Sequence, residues 1–327
     1  MTEPTIDAAR TGPDSSRHCA ACDCAAFAFA FDAPDLREGT GPAAPYLRCS
    51  GCGTLLLDCT LSREALSSAY RSGEVDQVGP PVLPPEPTPA RRLLRAVLAP
   101  IAKRPHSLPH GDGGGRTLLD VGCLGGDKLV EFARRGFKIT GVDLNRAAVA
   151  RARLLLPEGT FHEGPLETLP PGPPFDFIRC DSVLEHLPDP LALLRLIRAR
   201  LAPAGRFFLY VPSGEALSVR LLGSRSANVW VPWHLHLFSR AGLEVLCARA
   251  GFAEATVSPF TPLSWWELTA RQVVSAPGAF RRPPGLGERA AVLAARGLSP
   301  AFFVLGRTDL AEEWVVSAGE APTPERA

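Results

Sequence analysis

Two CxxC pairs near the N-terminus have the spacing of a metal site. Their four cysteines are Cys19, Cys22, Cys49 and Cys52. Two thiolates separated by two residues can turn toward one ion, and Gly51 and Gly53 permit the tight backbone that the second pair needs. The spacing therefore predicts a structural Zn²⁺ ion with four sulfur ligands and no open position for catalysis. Cys24 remains an alternative ligand, whereas Cys59 is expected to be a free thiol.

Glycines cluster directly after the apolar segment TLLDV and before a predicted helix. They are Gly122, Gly125 and Gly126. Small residues at such a turn let the backbone approach a ligand at the helix N-terminus. Asp143 ends the next predicted strand, 23 residues after Asp120, close to the offset at which a carboxylate meets ribose hydroxyls. The two features predict a site for a nucleoside-containing cofactor; the alternative is that Asp143 only caps the following helix.

Three histidines follow or flank segments that should end at one edge of a sheet. His186 lies in LEHLP, and His234 and His236 alternate along VPWHLHLFS. Open α/β sheets bind ligands outside the carboxyl ends of their strands, so each histidine is a candidate base or acceptor contact. Packing in a loop or at a helix entry is the competing interpretation. A metal site at His234 and His236 is not expected, because the sequence offers no recognisable third ligand.

Several tryptophans and one basic segment each have two interpretations. The tryptophans are Trp230, Trp233, Trp265 and Trp266. They would either wall an apolar acceptor pocket or pack beneath a lid. The basic segment RRLLRAVLAPIAKR, residues 91–104, is either a solvated helix face or a weak peripheral contact with an anionic membrane or charged acceptor.

The elements that position these residues alternate between strand-like and helix-like segments from residue 117 onward. TLLDV, FKITGVD, FDFIRC and RFFLYVP are apolar runs of strand length, and helical patterns separate them. Asp189 followed by Pro190 predicts the N-cap and first residue of one of these helices. This alternation predicts an α/β fold with a parallel sheet.

The order of these motifs resembles the class I S-adenosylmethionine-dependent methyltransferases, in particular a bacterial subgroup with an N-terminal zinc ribbon. DVGCLGG is similar to the family's first motif, GVDLN to its second and FDFIRCDSVLEHLPDP to its fourth. GRFFLYVPS and HLHLFSRAGLEVLCARAGF are similar to its fifth strand and following helix. The resemblance implies a Rossmann-like seven-stranded methyltransferase sheet preceded by a small zinc ribbon.

The same resemblance assigns cofactor contacts and domain boundaries. The implied S-adenosylmethionine contacts are Asp120, Gly122 and Gly126 at the methionine end, Asp143 at the ribose, Leu166 at the adenine and Asp181 above the cofactor. Leu124 and Pro165 depart from the family, which often has glycine and aspartate at these two positions. The expected boundaries are a disordered tail at 1–15, the zinc ribbon at 16–62, a proline-rich linker and short helix at 63–110, the cofactor-binding core at 111–260, and a helical insertion or lid with a final strand at 261–327.

Composition excludes some classes of protein and leaves three functions open. The chain has 327 residues, a net charge of +1 and 46% hydrophobic residues, so widespread disorder is not expected. The segment from Arg17 to Thr60 has three basic and five acidic residues, which disfavours a nucleic-acid reader. The leading function is methyl transfer to a small molecule, such as a metabolite, a sugar or a natural-product or glycolipid intermediate. The alternatives are an rRNA or tRNA methyltransferase that uses the ribbon to read RNA, and a non-catalytic binding protein.

The compartment is expected to be the cytoplasm. The first 18 residues have no apolar core of a signal peptide, and no apolar run is long enough to cross a bilayer. The nine cysteines are an odd number, and Cys123, Cys180 and Cys247 lie singly in apolar segments. Free buried thiols suit a reducing compartment better than a disulfide framework does.

Overall fold

The structure is a computed structural model that describes residues 17–37, 39, 43–59, 113–252, 254–278, 283–297 and 310–319. The predicted tail at 1–15 and the predicted linker and basic helix at 63–110 lie outside the described residues. Within the described part of the chain, no helix is long and apolar enough to cross a lipid bilayer.

The described residues form eleven strands in two sheets. The strands are β1 (Phe27–Ala33), β2 (Ala44–Cys49), β3 (Leu55–Leu57), β4 (Thr117–Val121), β5 (Lys138–Asp143), β6 (Thr160–Glu163), β7 (Phe175–Asp181), β8 (Leu201–Pro212), β9 (His236–Leu237), β10 (Glu254–Phe260) and β11 (Glu313–Gly319). The larger sheet has the order β10-β11-β8-β7-β4-β5-β6. Strands β8, β7, β4, β5 and β6 are parallel, and β11 runs antiparallel to both β8 and β10.

Helices connect the strands and cover both faces of the larger sheet. They are α1 (Val130–Arg134), α2 (Arg146–Leu155), α3 (Pro190–Arg200), α4 (Leu217–Leu222), α5 (Arg240–Arg249), α6 (Leu263–Val274) and α7 (Leu286–Gly297). The side chains of Asn145, Asp189 and Ser239 cap α2, α3 and α5 by accepting hydrogen bonds from backbone N–H groups in the first turn. Helices α6 and α7 lie between the last two strands in chain order.

The core sits on both faces of the parallel strands because successive side chains point to opposite faces. Leu119 and Ile178 pack on one face with residues of α3 and α5, while Leu118 and Phe177 pack on the other face with residues of α2. This two-sided burial explains why the central strands are apolar runs instead of alternating patterns. The α/β fold with a Rossmann-like seven-stranded sheet, predicted from the sequence, is confirmed.

The smaller sheet joins the cysteine-rich segment to the larger domain. Strands β1, β2 and β3 form an antiparallel meander, and β9, from a distant part of the chain, pairs with β3 through Leu55 with Leu237 and Leu56 with His236. Tyr46 donates a hydrogen bond to the carbonyl of His234 at 2.6 Å. The described residues of the cysteine module, 17–37, 39 and 43–59, are therefore packed on the segment that carries two of the candidate histidines. No local pattern in the sequence predicts this pairing.

Candidate functional site

A cavity of about 270 Å³ opens at the carboxyl ends of the parallel strands. The last residues of β4, β5 and β7, which are Val121, Asp143 and Asp181, all line it. Parallel strands end at the same edge of a sheet, so groups from three separate motifs meet at one opening. The predicted cofactor motifs and two of the predicted histidines share this cavity.

The glycine turn forms one wall of the cavity through an unusual backbone path. Gly122 has a φ of 76°, and a Cβ there would lie 2.3 Å from Cγ2 of Val183. Leu124 has a φ of 46°, a left-handed conformation that is strained for a leucine. Its backbone N–H donates to the Asp143 carboxylate at 2.8 Å. This bond holds the turn at Leu124, the position at which the sequence departs from the motif that it resembles.

Asp143 is a buried carboxylate that faces the cavity and already holds two backbone groups. Its oxygens accept from the N–H groups of Leu124 and Asn145, both at 2.8 Å. Burial raises the pKa of Asp143, and the backbone hydrogen bonds oppose that shift. Each carboxylate oxygen has a second lone pair, so the side chain can still accept from hydroxyls of a ligand in the cavity.

Asp120 lies beneath the cavity and does not line it. Arg179 donates to both of its carboxylate oxygens, at 2.8 and 2.9 Å, and also bonds Asp181. Burial raises the pKa of Asp120 to about 6, against the opposing effect of Arg179. Lys128 donates to Asp181 at 2.9 Å at the cavity wall. Arg179 thus fixes the carboxylates of Asp120 and Asp181 relative to each other. No pattern in the sequence predicts this role.

The remaining predicted cofactor residues divide between lining and supporting positions. Leu166 and Pro165 line the cavity together with Leu144, so this part of the wall is apolar. Gly126 does not line it; its φ is 82°, and a Cβ there would lie 3.3 Å from the Ala152 side chain. Gly126 is thus needed for close packing of the turn against α2.

Two of the three candidate histidines line the cavity. His186 and His234 line the cavity and their ring centroids are 4.8 Å apart, whereas His236 does not line it. Nδ1 of His186 donates to the Trp233 carbonyl at 2.8 Å, and Nδ1 of His234 donates to the Asn228 carbonyl at 2.6 Å. His236 bonds the Leu187 carbonyl through Nε2 at 3.1 Å.

Burial keeps these imidazoles neutral. It lowers the pKa of His186 and of His236 to about 4 and lowers the pKa of His234 well below its ordinary value. The backbone carbonyls that accept from the rings oppose the shift. A neutral ring whose Nδ1 donates to a carbonyl, as in His234, carries its lone pair on Nε2, where it can accept a proton. The ring of His186 also interacts with the backbone of Ser182.

Glu185 is a third group at the same wall that the sequence analysis did not single out. It is 0% exposed and lines the cavity with His186 and His234. One oxygen lies 3.8 Å from Nε2 of His186. One ligand atom from each of the three side chains lies within 4.8 Å of the others. The signal in the sequence is the Glu-His dipeptide, but nothing local relates it to His234.

The four cysteines of the two CxxC pairs converge in the structure. Sγ of Cys19 is 3.7 Å from Sγ of Cys52, and Sγ of Cys22 is 3.5 Å from Sγ of Cys49. All four sulfurs lie within 4.8 Å of one another, so the group could hold a metal ion. Cys24 is not a member of this group, and its sulfur accepts instead from the Ala26 N–H at 3.4 Å.

The cysteine module reaches the cavity through Arg37. The Arg37 guanidinium lies 4.4 Å from the centroid of the Trp230 ring and donates to the Ala227 carbonyl at 2.7 Å. Both Arg37 and Trp230 line the cavity. Trp265 lines it as well, and its ring N–H donates to Glu313. Two of the four predicted tryptophans, Trp230 and Trp265, therefore line the cavity.

Comparisons with known proteins identify a methyltransferase domain in the chain. A family model described as a methyltransferase domain matches residues 89–257, more than half of the chain. A ubiquinone biosynthesis O-methyltransferase of Idiomarina loihiensis is 34% identical over 140 residues, covering 40% of this chain and 58% of the relative. One of Aeromonas salmonicida is 36% identical over 130 residues, covering 37% and 55%. The chain thus spans about half the length of these relatives.

One solved structure is similar to part of this chain. An S-adenosylmethionine-dependent methyltransferase from Mesorhizobium loti is 20% identical, with a TM-score of 0.44 over 68% of this chain and 95% of that chain.

Proposed function

The chain belongs to the methyltransferase domain family, and we propose that it transfers a methyl group from S-adenosylmethionine to a small-molecule acceptor. The observation that carries this proposal is the shared cavity, which is lined by the glycine turn and Asp143 together with His186 and His234. Donor and acceptor of a displacement must meet in line, and a single cavity that both can enter permits this.

On the cofactor side, Asp143 would accept hydrogen bonds from the ribose hydroxyls. The apolar wall at Leu144, Pro165 and Leu166 would take the adenine, with backbone groups in place of the aspartate absent at position 165. Gly122 would let the methionine end approach the backbone, and Asp181 with Lys128 would face that end. Asp120 and Gly126 would act indirectly, through Arg179 and through packing of the turn.

S-adenosylmethionine, when bound, supplies a methyl group on a sulfonium, so its leaving group is already activated. The residues of the chain align the two reactants, exclude water and hold the acceptor proton. As the bond from the acceptor atom to the methyl carbon forms, the carbon–sulfur bond breaks and its electron pair stays on sulfur. The acceptor proton would pass to a neutral ring nitrogen of His186 or His234, or to solvent. His236 would position this segment through Leu187.

The cysteine module would hold one structural zinc ion. Tetrahedral thiolate ligands at about 2.3 Å from zinc lie roughly 3.8 Å apart, and the two sulfur pairs of the structure are 3.5 and 3.7 Å apart. The ion would fix the base of the small sheet, and β3 would then hold β9 and the histidine segment. The module would thus support the histidine segment, a role that requires no contact with RNA.

The acceptor atom favoured by the comparisons is an oxygen. Two matching relatives are named ubiquinone biosynthesis O-methyltransferases, and the apolar tryptophan wall suits a small, partly hydrophobic molecule with a hydroxyl group. The alternative acceptor is rRNA or tRNA, for which the acidic balance of the cysteine module is unfavourable.

The direct test is a methyl-transfer screen with isotopically labelled S-adenosylmethionine. Purified protein is incubated separately with a small-molecule extract and with total RNA. The proposal expects label in the small-molecule fraction and requires its loss in the Asp143→Ala variant. Label confined to RNA would overturn the small-molecule assignment, and binding of the cofactor without label in either fraction would favour the non-catalytic alternative.

A further inference from the structure

One cation of the cavity comes from the cysteine module and is not explained by the proposed cofactor contacts. Among the described residues, two cationic side chains line the cavity, Arg37 and Lys128. Lys128 donates to Asp181 at 2.9 Å, next to the proposed methionine end of the cofactor. Arg37 instead lies over the Trp230 ring, 4.4 Å from its centroid. Its charge is therefore available to a second ligand of the cavity.

The positive charge of Arg37 lies close to the two histidines that line the cavity. Burial lowers the pKa of His186 and of His234, and the charge of Arg37 lowers both further. The Trp230 ring centroid is 6.1 Å from that of His186 and 5.5 Å from that of His234. These four side chains form one corner of the cavity, which we call the aromatic corner.

Two contacts hold the guanidinium at the aromatic corner. Nη2 of Arg37 donates to the Ala227 carbonyl at 2.7 Å, and the guanidinium lies over the Trp230 ring. A guanidinium over an aromatic ring keeps its N–H groups in its own plane, where they form a fork that matches a carboxylate. The contacts order a long, flexible side chain in advance, which lowers the entropic cost of binding an anion.

We propose that Arg37 binds a carboxylate of the methyl acceptor, so that the acceptor is a small organic acid with a flat apolar body. This inference rests on the proposed function, whose acceptor it specifies. One guanidinium suits the single charge of a carboxylate better than the nearly double charge of a phosphate. Trp230 and Trp265 line the same cavity and offer apolar surface for the body of the acid. The carboxylate would anchor the acceptor, and a different atom would receive the methyl group.

The carboxyl groups of the cavity are compatible with an anionic acceptor. Asp143 and Asp181 are proposed cofactor contacts, and S-adenosylmethionine brings a positive sulfonium to them. Glu167 is exposed, so solvent screens its charge. Glu185 is 0% exposed, and burial raises its pKa well above the ordinary value. Burial thus favours the neutral acid at Glu185, which does not repel an anion.

Benzoate and benzamide are probes that have the same shape and differ in charge. They are titrated separately, by NMR, into zinc-loaded protein in the presence of millimolar S-adenosylhomocysteine. We expect wild-type protein to bind benzoate roughly tenfold or more tightly than benzamide. Arg37→Gln should lose this preference and bind benzamide as the wild type does, whereas loss of packing alone would weaken both probes. Arg37→Lys keeps the charge without the fork and should keep part of the preference.

Arg48→Gln is the matched control. Arg48 belongs to the same module, donates to the Gly53 carbonyl at 3.2 Å and is not among the residues that line the cavity. This variant should keep the wild-type preference for benzoate. Thermal melting verifies that each variant is folded, and Arg37→Met, which keeps an apolar stem, replaces Arg37→Gln if that variant is not.

Three results would overturn the carboxylate site. They are equal affinity of the wild type for benzoate and benzamide, a preference for benzoate that persists in the folded Arg37 variant without charge, and tighter binding of phenyl phosphate than of benzoate. The third result would assign the aromatic corner to a phosphate.

The methyl-transfer screen, run on the same preparations, reports separately on the proposed function. Label in the small-molecule fraction without a preference for benzoate would overturn the carboxylate site alone. A preference for benzoate that depends on Arg37, without label in any fraction, would overturn the proposed function alone.

Discussion

Asp143 combines a structural and a binding role in one carboxylate. Because it accepts from the Leu124 and Asn145 N–H groups, Asp143→Ala should loosen the turn as well as remove the ribose contact. We expect S-adenosylmethionine binding to weaken by about 1.5 to 3 kcal/mol, with a loss of thermal stability. Asp143→Asn keeps one acceptor oxygen, so its affinity for S-adenosylmethionine should lie between those of the wild type and Asp143→Ala. Glu163→Gln, at the end of the adjacent strand and outside the cavity lining, is the control; equal affinity in all variants would contradict the assignment.

His186 and His234 should matter to turnover and not to cofactor affinity. They line the cavity but are not among the proposed contacts of the cofactor, so His186→Gln and His234→Gln should bind S-adenosylmethionine as the wild type does. If a ring takes the acceptor proton, turnover should fall roughly 10²- to 10⁴-fold. Affinity is measured by calorimetry and turnover with saturating cofactor. Weakened cofactor binding would assign the residue to the cofactor site. Unchanged turnover would show that the residue only packs in the wall.

Glu312 is a buried carboxyl outside the cavity whose titration should be visible in stability. Burial raises its pKa from the ordinary 4.5 to about 7, although Ser218 donates to it through both its N–H and its hydroxyl. The folded protein therefore holds a proton that the unfolded chain releases at lower pH. The stabilisation is complete below pH 4.5 and is lost as the pH rises through 7.

Relative to Glu312→Gln, the wild type should lose about 2 kcal/mol of unfolding free energy between pH 5 and pH 8. Urea denaturation of both proteins at the two pH values measures this difference. If the difference in unfolding free energy between the two proteins stays constant with pH, the Glu312 carboxyl does not titrate in this range.

At the scale of elements, the cysteine module should stabilise the histidine segment. Sulfur ligation would fix β2 and β3, and β3 pairs with β9, next to His234. In Cys49→Ala/Cys52→Ala protein, bound zinc should fall from about one ion per chain to near zero, because structural zinc contributes roughly 10 to 16 kcal/mol of apparent binding free energy in peptides. The melting temperature should fall with it.

Cys59→Ala is the matched control for the double variant, since Cys59 is outside the sulfur cluster. It should retain its zinc and its melting temperature. Metal analysis of wild-type protein that finds no zinc, or a double variant that keeps it, would exclude a structural zinc site.

Local signals made the central sheet and its glycine turn predictable. Strand length, a glycine turn and a cap such as Asp189 depend on neighbours along the chain, so they can be predicted from the sequence. The β3–β9 pairing and the meeting of Glu185 with His234 depend on contacts between distant segments, which no local pattern specifies. For the same reason, the position of Glu185 beside the histidines was not recognisable, and Arg37 was not expected at the cavity. The sequence also could not show that His236 would not line the cavity.

At the scale of the whole molecule, two modules share one cavity wall. The larger sheet supplies the glycine turn and the strand-end carboxylates, and the cysteine module supplies Arg37 and supports the histidine segment. The near-neutral net charge of +1 gives no general attraction for a polyanion. This division predicts that cofactor binding depends on the larger sheet, whereas acceptor use depends on both modules.

The most direct test of the account is calorimetric titration of the purified, zinc-loaded protein with S-adenosylmethionine. The shared cavity and the family membership predict saturable binding at one site per chain, and Asp143→Ala should weaken it while Glu163→Gln should not. Folded wild-type protein that shows no binding at millimolar S-adenosylmethionine would contradict the central claim.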